Sequence, residues 1–142
     1  MKIIKSEPDQ LCQSTGAPWT NCEQETSNVA TFFDAYPVTP GHRLFVPKHN
    51  RVDCLMQAMA DAVARGMQGI DNQEWPAFNV GINIGAAAGQ TCDWPHVHLI
   101  PRRTGDMQDP TGGVRHVVPE KGNYRRSGYM VGDLHPTHDA QT

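Results

Sequence analysis

The sequence predicts an α+β domain, an antiparallel sheet of about five strands with one main helix. Three observations predict it. Short stretches of alternating apolar and polar residues recur along the chain, as in half-buried strands. One longer stretch, 51–67, carries apolar residues at helical spacing instead. Between them lie clusters of Gly, Pro, Asn and Asp, drawn from 13 glycines and 11 prolines, which mark turns and loops.

A chain of 142 residues fits one domain around one core. Charged residues make up 19% and the formal net charge is −3, so nothing suggests a nucleic-acid-binding surface. No apolar run approaches the roughly 20 residues that cross a bilayer. The start, residues 1–7, lacks the apolar stretch and cleavage site of a secretory signal. A cytoplasmic protein is expected, with neither nucleic acid nor membrane as partner. The four cysteines are Cys12, Cys22, Cys54 and Cys92, and no pair has Cys-x-x-Cys spacing. A disulfide framework is not expected in a cytosolic chain. Cys54 reads as a buried free thiol on the helix, and Cys12 and Cys22 with His42 or His49 make no recognised zinc spacing.

Taken in order, residues 1–27 read as an irregular N-terminal segment with one short element near Ile3-Ile4 or Gln10-Leu11. Residues 28–34 are strand-prone and end in a turn with two prolines. Residues 41–47 form the next strand, Leu44 and Val46 on one face, pairing back as a hairpin. Asn50 is a reasonable N-cap for a helix over 51–67. Its apolar face is Val52, Leu55, Met56, Met59, Ala60, Val63 and Met67, and Gly66 and Gly69 mark its end. In 75–84, Phe78, Val80, Ile82 and Ile84 alternate with Asn79, Gly81 and Asn83, so one face is core and the other carries two amides and a bare backbone. The next strand starts near His96. A period of two puts Val97 and Leu99 in the core, and His96, His98 and Ile100 on the opposite face. Residues 114–119 read as a further short strand. The domain organisation expected is 1–27 irregular, 28–124 folded, and 125–142 a polar tail that holds His135 and His138.

Gly89-Gln90-Thr91 and then His96-Val97-His98-Leu99-Ile100-Pro101-Arg102 resemble the signature of the histidine triad (HIT) family of small nucleotide hydrolases and transferases. The second and third triad histidines fall on His96 and His98; the first falls on Trp94. Two further patches are similar to the family. One runs from Phe33 through Asp34, Pro40, His42 and the strand ending Pro47-Lys48. The other is the spacing of Asn83 seven residues before Gln90. Residues 112–124 resemble a C-terminal extension of some microbial members. The resemblance implies the HIT-like fold, a homodimer, and a nucleotide substrate, most often of adenine. It implies that Asp34 binds the ribose hydroxyls, with Phe32 near the base, and that Asn83, Gln90 and Thr91 supply donors to the phosphate. Members need no catalytic metal. Relatives that carry zinc hold it on an N-terminal Cys-x-x-Cys and on histidines that include one from the triad region. Both the cysteine pair and the first triad histidine are missing here, which argues against a metal or other cofactor.

A neutral imidazole is a good nucleophile near pH 7. Its attack on phosphorus splits one displacement into two easier ones through a covalent phosphoramidate. The chemistry needs a histidine protonated on its far nitrogen, donors for the phosphoryl oxygens, a proton for the leaving group, and a pocket that holds the nucleotide in line. In the family the middle histidine attacks while its other nitrogen donates to the carbonyl at the first triad position. His96 is therefore the expected nucleophile, His98 a donor to a phosphate oxygen, and Thr91 a donor to the bridging or leaving oxygen. The expected activity is cleavage of a dinucleoside polyphosphate or nucleoside phosphoramidate at the α-phosphate. Two alternatives stand beside it: a nucleotide-binding module that turns over little because the first histidine is absent, and a metal-binding protein using His42, His96 and His98.

Overall fold

The computed structural model describes residues 1–5, 7–11 and 17–125. Cys12 and the tail histidines His135 and His138 lie outside them. The elements are β1 (Trp19–Glu25), β2 (Val29–Asp34), β3 (Arg43–Pro47), α1 (Val52–Asp71), β4 (Ala77–Ile82), β5 (Val97–Arg102) and a one-turn α2 (Pro119–Gly122). The strands form one antiparallel sheet in the order β1-β2-β3-β5-β4. The α+β expectation holds, five strands and one main helix included. The chain divides into two units, Met1–Asp106 and the residues from Met107 onward.

Alternation on the strands builds a core on each face of the sheet. Val29, Phe45, Val97 and Leu99 point to α1 and join Ala58, Ala62 and Trp75. Ala30, Phe32, Leu44 and Val46 point the other way and join Trp19 and Trp94, with Ile4, Leu11 and Ala17 of the N-terminal segment packed over them. Val97 and Leu99 are fully buried, while His96, His98 and Ile100 are half-buried on the opposite face, as the period of two requires.

Several expectations are corrected. Residues 19–25, expected to be irregular, are strand β1. Six of its seven residues are exposed, and its register with β2 slips twice, around Cys22. Bulges of this kind break the alternation by which a strand is recognised. Asn50 does not cap α1: Arg51 holds the N-cap position without a side-chain bond. Asn50 is buried instead; its Oδ1 accepts from the backbone N–H of Ile3 and Ile4, each at 2.8 Å, and its Nδ2 donates to the Ile4 carbonyl at 2.6 Å. It stitches the N-terminal segment down, helped by a bridge between Gln10 and His49.

Gly66 and Gly69 do not end the helix, which runs on to Asp71. They are packing residues: a Cβ on Gly66 would lie 2.6 Å from the Phe78 ring, and one on Gly69 2.1 Å from the Trp75 ring. The helix meets the sheet through small residues, Cys54, Ala58, Ala62, Gly66 and Gly69. Met56, Val63 and Met67, expected in the core, are exposed.

In the second unit, residues 114–119 are not a strand. A 3-10 turn spans Gly113–Val117 and leads into α2. Gly112 and Gly113 both have positive φ, which bends the chain too sharply for a strand. Arg115 then ties the turn shut, donating to the carbonyls of Gly122 at 3.0 Å and Lys121 at 3.1 Å.

Candidate active site

The face of the sheet away from α1 carries a cleft of about 280 Å³, the scale of a small-ligand site. Strand pairing assembles it. His98 pairs with Leu44 of β3 on one side and with Gly81 of β4 on the other. Nothing lies within 4 Å of where a Gly81 Cβ would stand, so the backbone beside His98 is bare. Gly85 and Gly89, at φ of 90° and 91°, bracket a 3-10 turn at Ala86–Ala88. That turn folds the Gln90-Thr91 stretch back over the His96 strand.

Three hydrogen bonds assign the protons of three histidines. His96 Nδ1 lies 3.1 Å from the Trp94 carbonyl. A carbonyl only accepts, so the proton is on Nδ1 and Nε2 keeps a lone pair. The backbone N–H of Val38 donates to His42 Nδ1 at 3.0 Å, which puts the His42 proton on Nε2. His42 Nε2 is 2.9 Å from His98 Nδ1 and donates to it, so the His98 proton is on Nε2. Asp34 flanks this relay, with Oδ2 at 3.3 Å from His42 Nε2, while its Oδ1 accepts from the Tyr36 backbone N–H at 2.8 Å. The His96 and His98 rings are 5.0 Å apart. One face thus presents a basic imidazole nitrogen beside an N–H donor.

Both relay histidines are held neutral. Burial lowers the His42 pKa, with His96 adding to the effect and Asp34 opposing it. Burial, then His96 and His42, push His98 down to about 4, again against Asp34. Asp34, His42 and His98 each bring an atom within 4.8 Å of the others, a spacing that could hold an ion. The Val38 bond argues against it. It leaves the His42 proton on Nε2, the nitrogen that would have to bind the metal as a lone pair.

The cleft brings together Asp34, Asn83, Gln90, Thr91, His96 and His98. Of the expected site residues it leaves out Phe32, which is buried under Trp19 with ring centroids 6.1 Å apart. Gln90 serves the loop. Its Oε1 accepts from the Gly85 N–H at 2.7 Å, and its Nε2 donates to the carbonyls of Cys92 and Asp93 at 3.1 and 3.2 Å. Trp94 is a core residue, its indole N–H bonded to the Pro47 carbonyl at 2.8 Å. His42 was not among the expected catalytic residues. Its signal was its place two residues before Leu44, on the same face and diagonal to His98.

Residues 20–105, more than half of the chain, match the family model of the HIT domain. An uncharacterized HIT-like protein of Mycobacterium tuberculosis is 35% identical over 97 residues, which cover 63% of this chain and 67% of that one. A bis(5′-nucleosyl)-tetraphosphatase (asymmetrical) of Schizosaccharomyces pombe is 29% identical over 133 residues, 89% of this chain and 72% of its own. Among solved structures, a HIT family member from Bacillus subtilis superposes with a TM-score of 0.52 at 26% identity, covering 65% of this chain and 70% of that one. With its antiparallel sheet, its histidine pair and a family match over most of the first unit, the chain belongs to the HIT domain family.

Proposed function

We propose that this protein cleaves a nucleoside phosphate derivative at the α-phosphate through a nucleotidyl-His96 intermediate. One observation carries the reading: the bond from His96 Nδ1 to the Trp94 carbonyl, which leaves Nε2 as a lone pair facing an adjacent N–H donor. His96 Nε2 attacks phosphorus, the P–O or P–N bond to the leaving group breaks, and the departing atom takes its proton from solvent while the Thr91 hydroxyl donates a hydrogen bond to it. Water then cleaves the P–N bond and releases a nucleoside monophosphate. His98 Nε2–H and Asn83 hold the phosphoryl oxygens, a preorganised donor set. Asp34 receives the ribose hydroxyls. Gln90 shapes the loop that positions Thr91, and Phe32 backs the base side through Trp19. The similarity to a bis(5′-nucleosyl)-tetraphosphatase supports a dinucleoside polyphosphate as substrate. Trp94 supplies the carbonyl that the first triad position must supply, so its side chain leaves the nucleophile intact. The unpaired edge of β4 supports a homodimer.

Intact-mass spectrometry during turnover tests this. The protein is incubated with diadenosine tetraphosphate, and separately with adenosine 5′-phosphoramidate, and quenched in base. A gain of one AMP that maps to His96, and is lost in His96→Gly, is the expected outcome. No adduct and no AMP from either substrate, with nucleotide still bound, would make the protein a binding module instead.

A further inference from the structure

The chain has three tryptophans, and their indole N–H groups are treated differently. Trp75 donates to the Gly66 carbonyl at 3.1 Å and Trp94 to that of Pro47 at 2.8 Å. Trp19 Nε1 is buried with no partner, the one such side-chain atom among the described residues. Buried indole donors nearly always find an acceptor, so this one calls for a physical reason.

Its location supplies one. Trp19 pairs across the β1–β2 ladder with Asp34. Its ring stacks on Phe32 at 6.1 Å and 30° and meets His96 edge-on at 5.5 Å and 72°. Its neighbour Pro18 lines the cleft. The indole therefore lies between the Asp34 and Phe32 end of the site and the histidine proposed to attack. Only 9% of the residue is exposed, while its ladder partner Asp34 and its ring neighbour His96 both line the cleft.

We propose that Trp19 is a ligand-contacting, specificity-determining residue: when a nucleotide fills the cleft, the indole shifts along Phe32 and its N–H donates to an acceptor on the nucleoside part. This rests on the reading of the cleft as a nucleotide site. Ribose oxygens and base ring nitrogens are the acceptors within the class. The phosphoryl group is served instead by His98, Asn83 and Thr91. Specificity follows because a site that commits a buried donor rejects ligands that leave it unpaired.

The three indole N–H resonances of ¹⁵N-labelled protein provide an internally controlled test. They are assigned with Trp19→Phe, Trp75→Phe and Trp94→Phe and followed through titrations with AMP, adenosine and inorganic phosphate. The Trp19 resonance is expected to move downfield with AMP and with adenosine, but not with phosphate, while Trp75 and Trp94 stay in place. Trp19→Phe keeps an aromatic side chain, smaller than the indole, and loses the donor. It should weaken AMP binding about five-fold, the equivalent of one neutral hydrogen bond. Backbone shifts at Thr91 and His96 with a stationary Trp19 resonance would overturn the assignment and leave the nucleotide reading standing. A Trp19 shift with phosphate alone would overturn the nucleoside assignment. No shift anywhere with AMP would overturn both.

Discussion

At the scale of single residues, the proton positions matter most. His42 contributes by accepting from Val38, which commits its remaining proton to His98. His98 can accept that proton on Nδ1 only while it stays neutral, and burial keeps its pKa near 4. In the unfolded chain a histidine titrates near 6.5. Between those two values the unfolded state binds the extra proton, so stability falls as pH drops. Global stability, read from urea midpoints, should be flat in this term above pH 6.5 and decline from there toward pH 4. His98→Asn should flatten that decline. A slope unchanged by the substitution would assign the acid sensitivity to other groups. Trp94 divides its duties: its backbone carbonyl bonds His96 while its side chain belongs to the core.

At the scale of elements, α1 buries only part of the apolar stripe that its periodicity predicts: Leu55 and Met59 pack on the core, while Met56, Val63 and Met67 are exposed. Large apolar residues suggested one stripe, but the sheet is met by Cys54, Ala58, Ala62, Gly66 and Gly69. Small residues let the helix sit close, so that Trp75 and Phe78 fill the space a side chain would take. Gly69→Ala should therefore destabilise the protein by about 1–3 kcal/mol, the usual cost of overpacking, even though Ala is the better helix former. Thermal or urea unfolding checks it; a stabilised Gly69→Ala would mean that the Trp75 ring moves aside freely. The same close approach fixes the sheet beneath β5, and so the base on which His96 and His98 stand.

At the scale of the whole molecule, the exposed apolar residues of α1 bear on the proposed homodimer. Met56, Val63 and Met67 are 54%, 42% and 52% exposed. Val63 and Met67 follow Met59, which packs on the core shared with Phe78 and Val80 of β4. β4 ends the sheet on one side, and no other described strand pairs with its outer edge. A second copy of the chain that adds its own β4 would cover both that edge and the exposed residues. Light scattering on a size-exclusion column should report a dimer for the native protein and a monomer for Val63→Glu/Met67→Glu. Both positions are exposed in the single chain, so the double variant should keep its fold by circular dichroism. A native monomer would remove the dimer from the account. No described helix is long and apolar enough to cross a membrane.

What the sequence by itself determined was whatever depends on local periodicity and spacing. The period of two in 96–100 and in 78–82 set which side chains face α1 and which face away, although Ile84, expected in the core, is exposed beyond β4; resemblance to the HIT signature pointed to Asn83, Gln90 and His96, which line the cleft. Those patterns survive folding because a strand's alternation is a property of its own backbone. The tertiary structure decided what depends on a partner distant in sequence. It turned Asn50 from a cap into a staple for the N-terminal segment, and it buried Phe32 under Trp19. It spent the Gln90 amide on its own loop and set the proton of His98 through His42, 56 residues away. Hydrogen bonding and burial are satisfied across the whole fold at once, so the role of a polar side chain is settled by the neighbours that the fold brings to it.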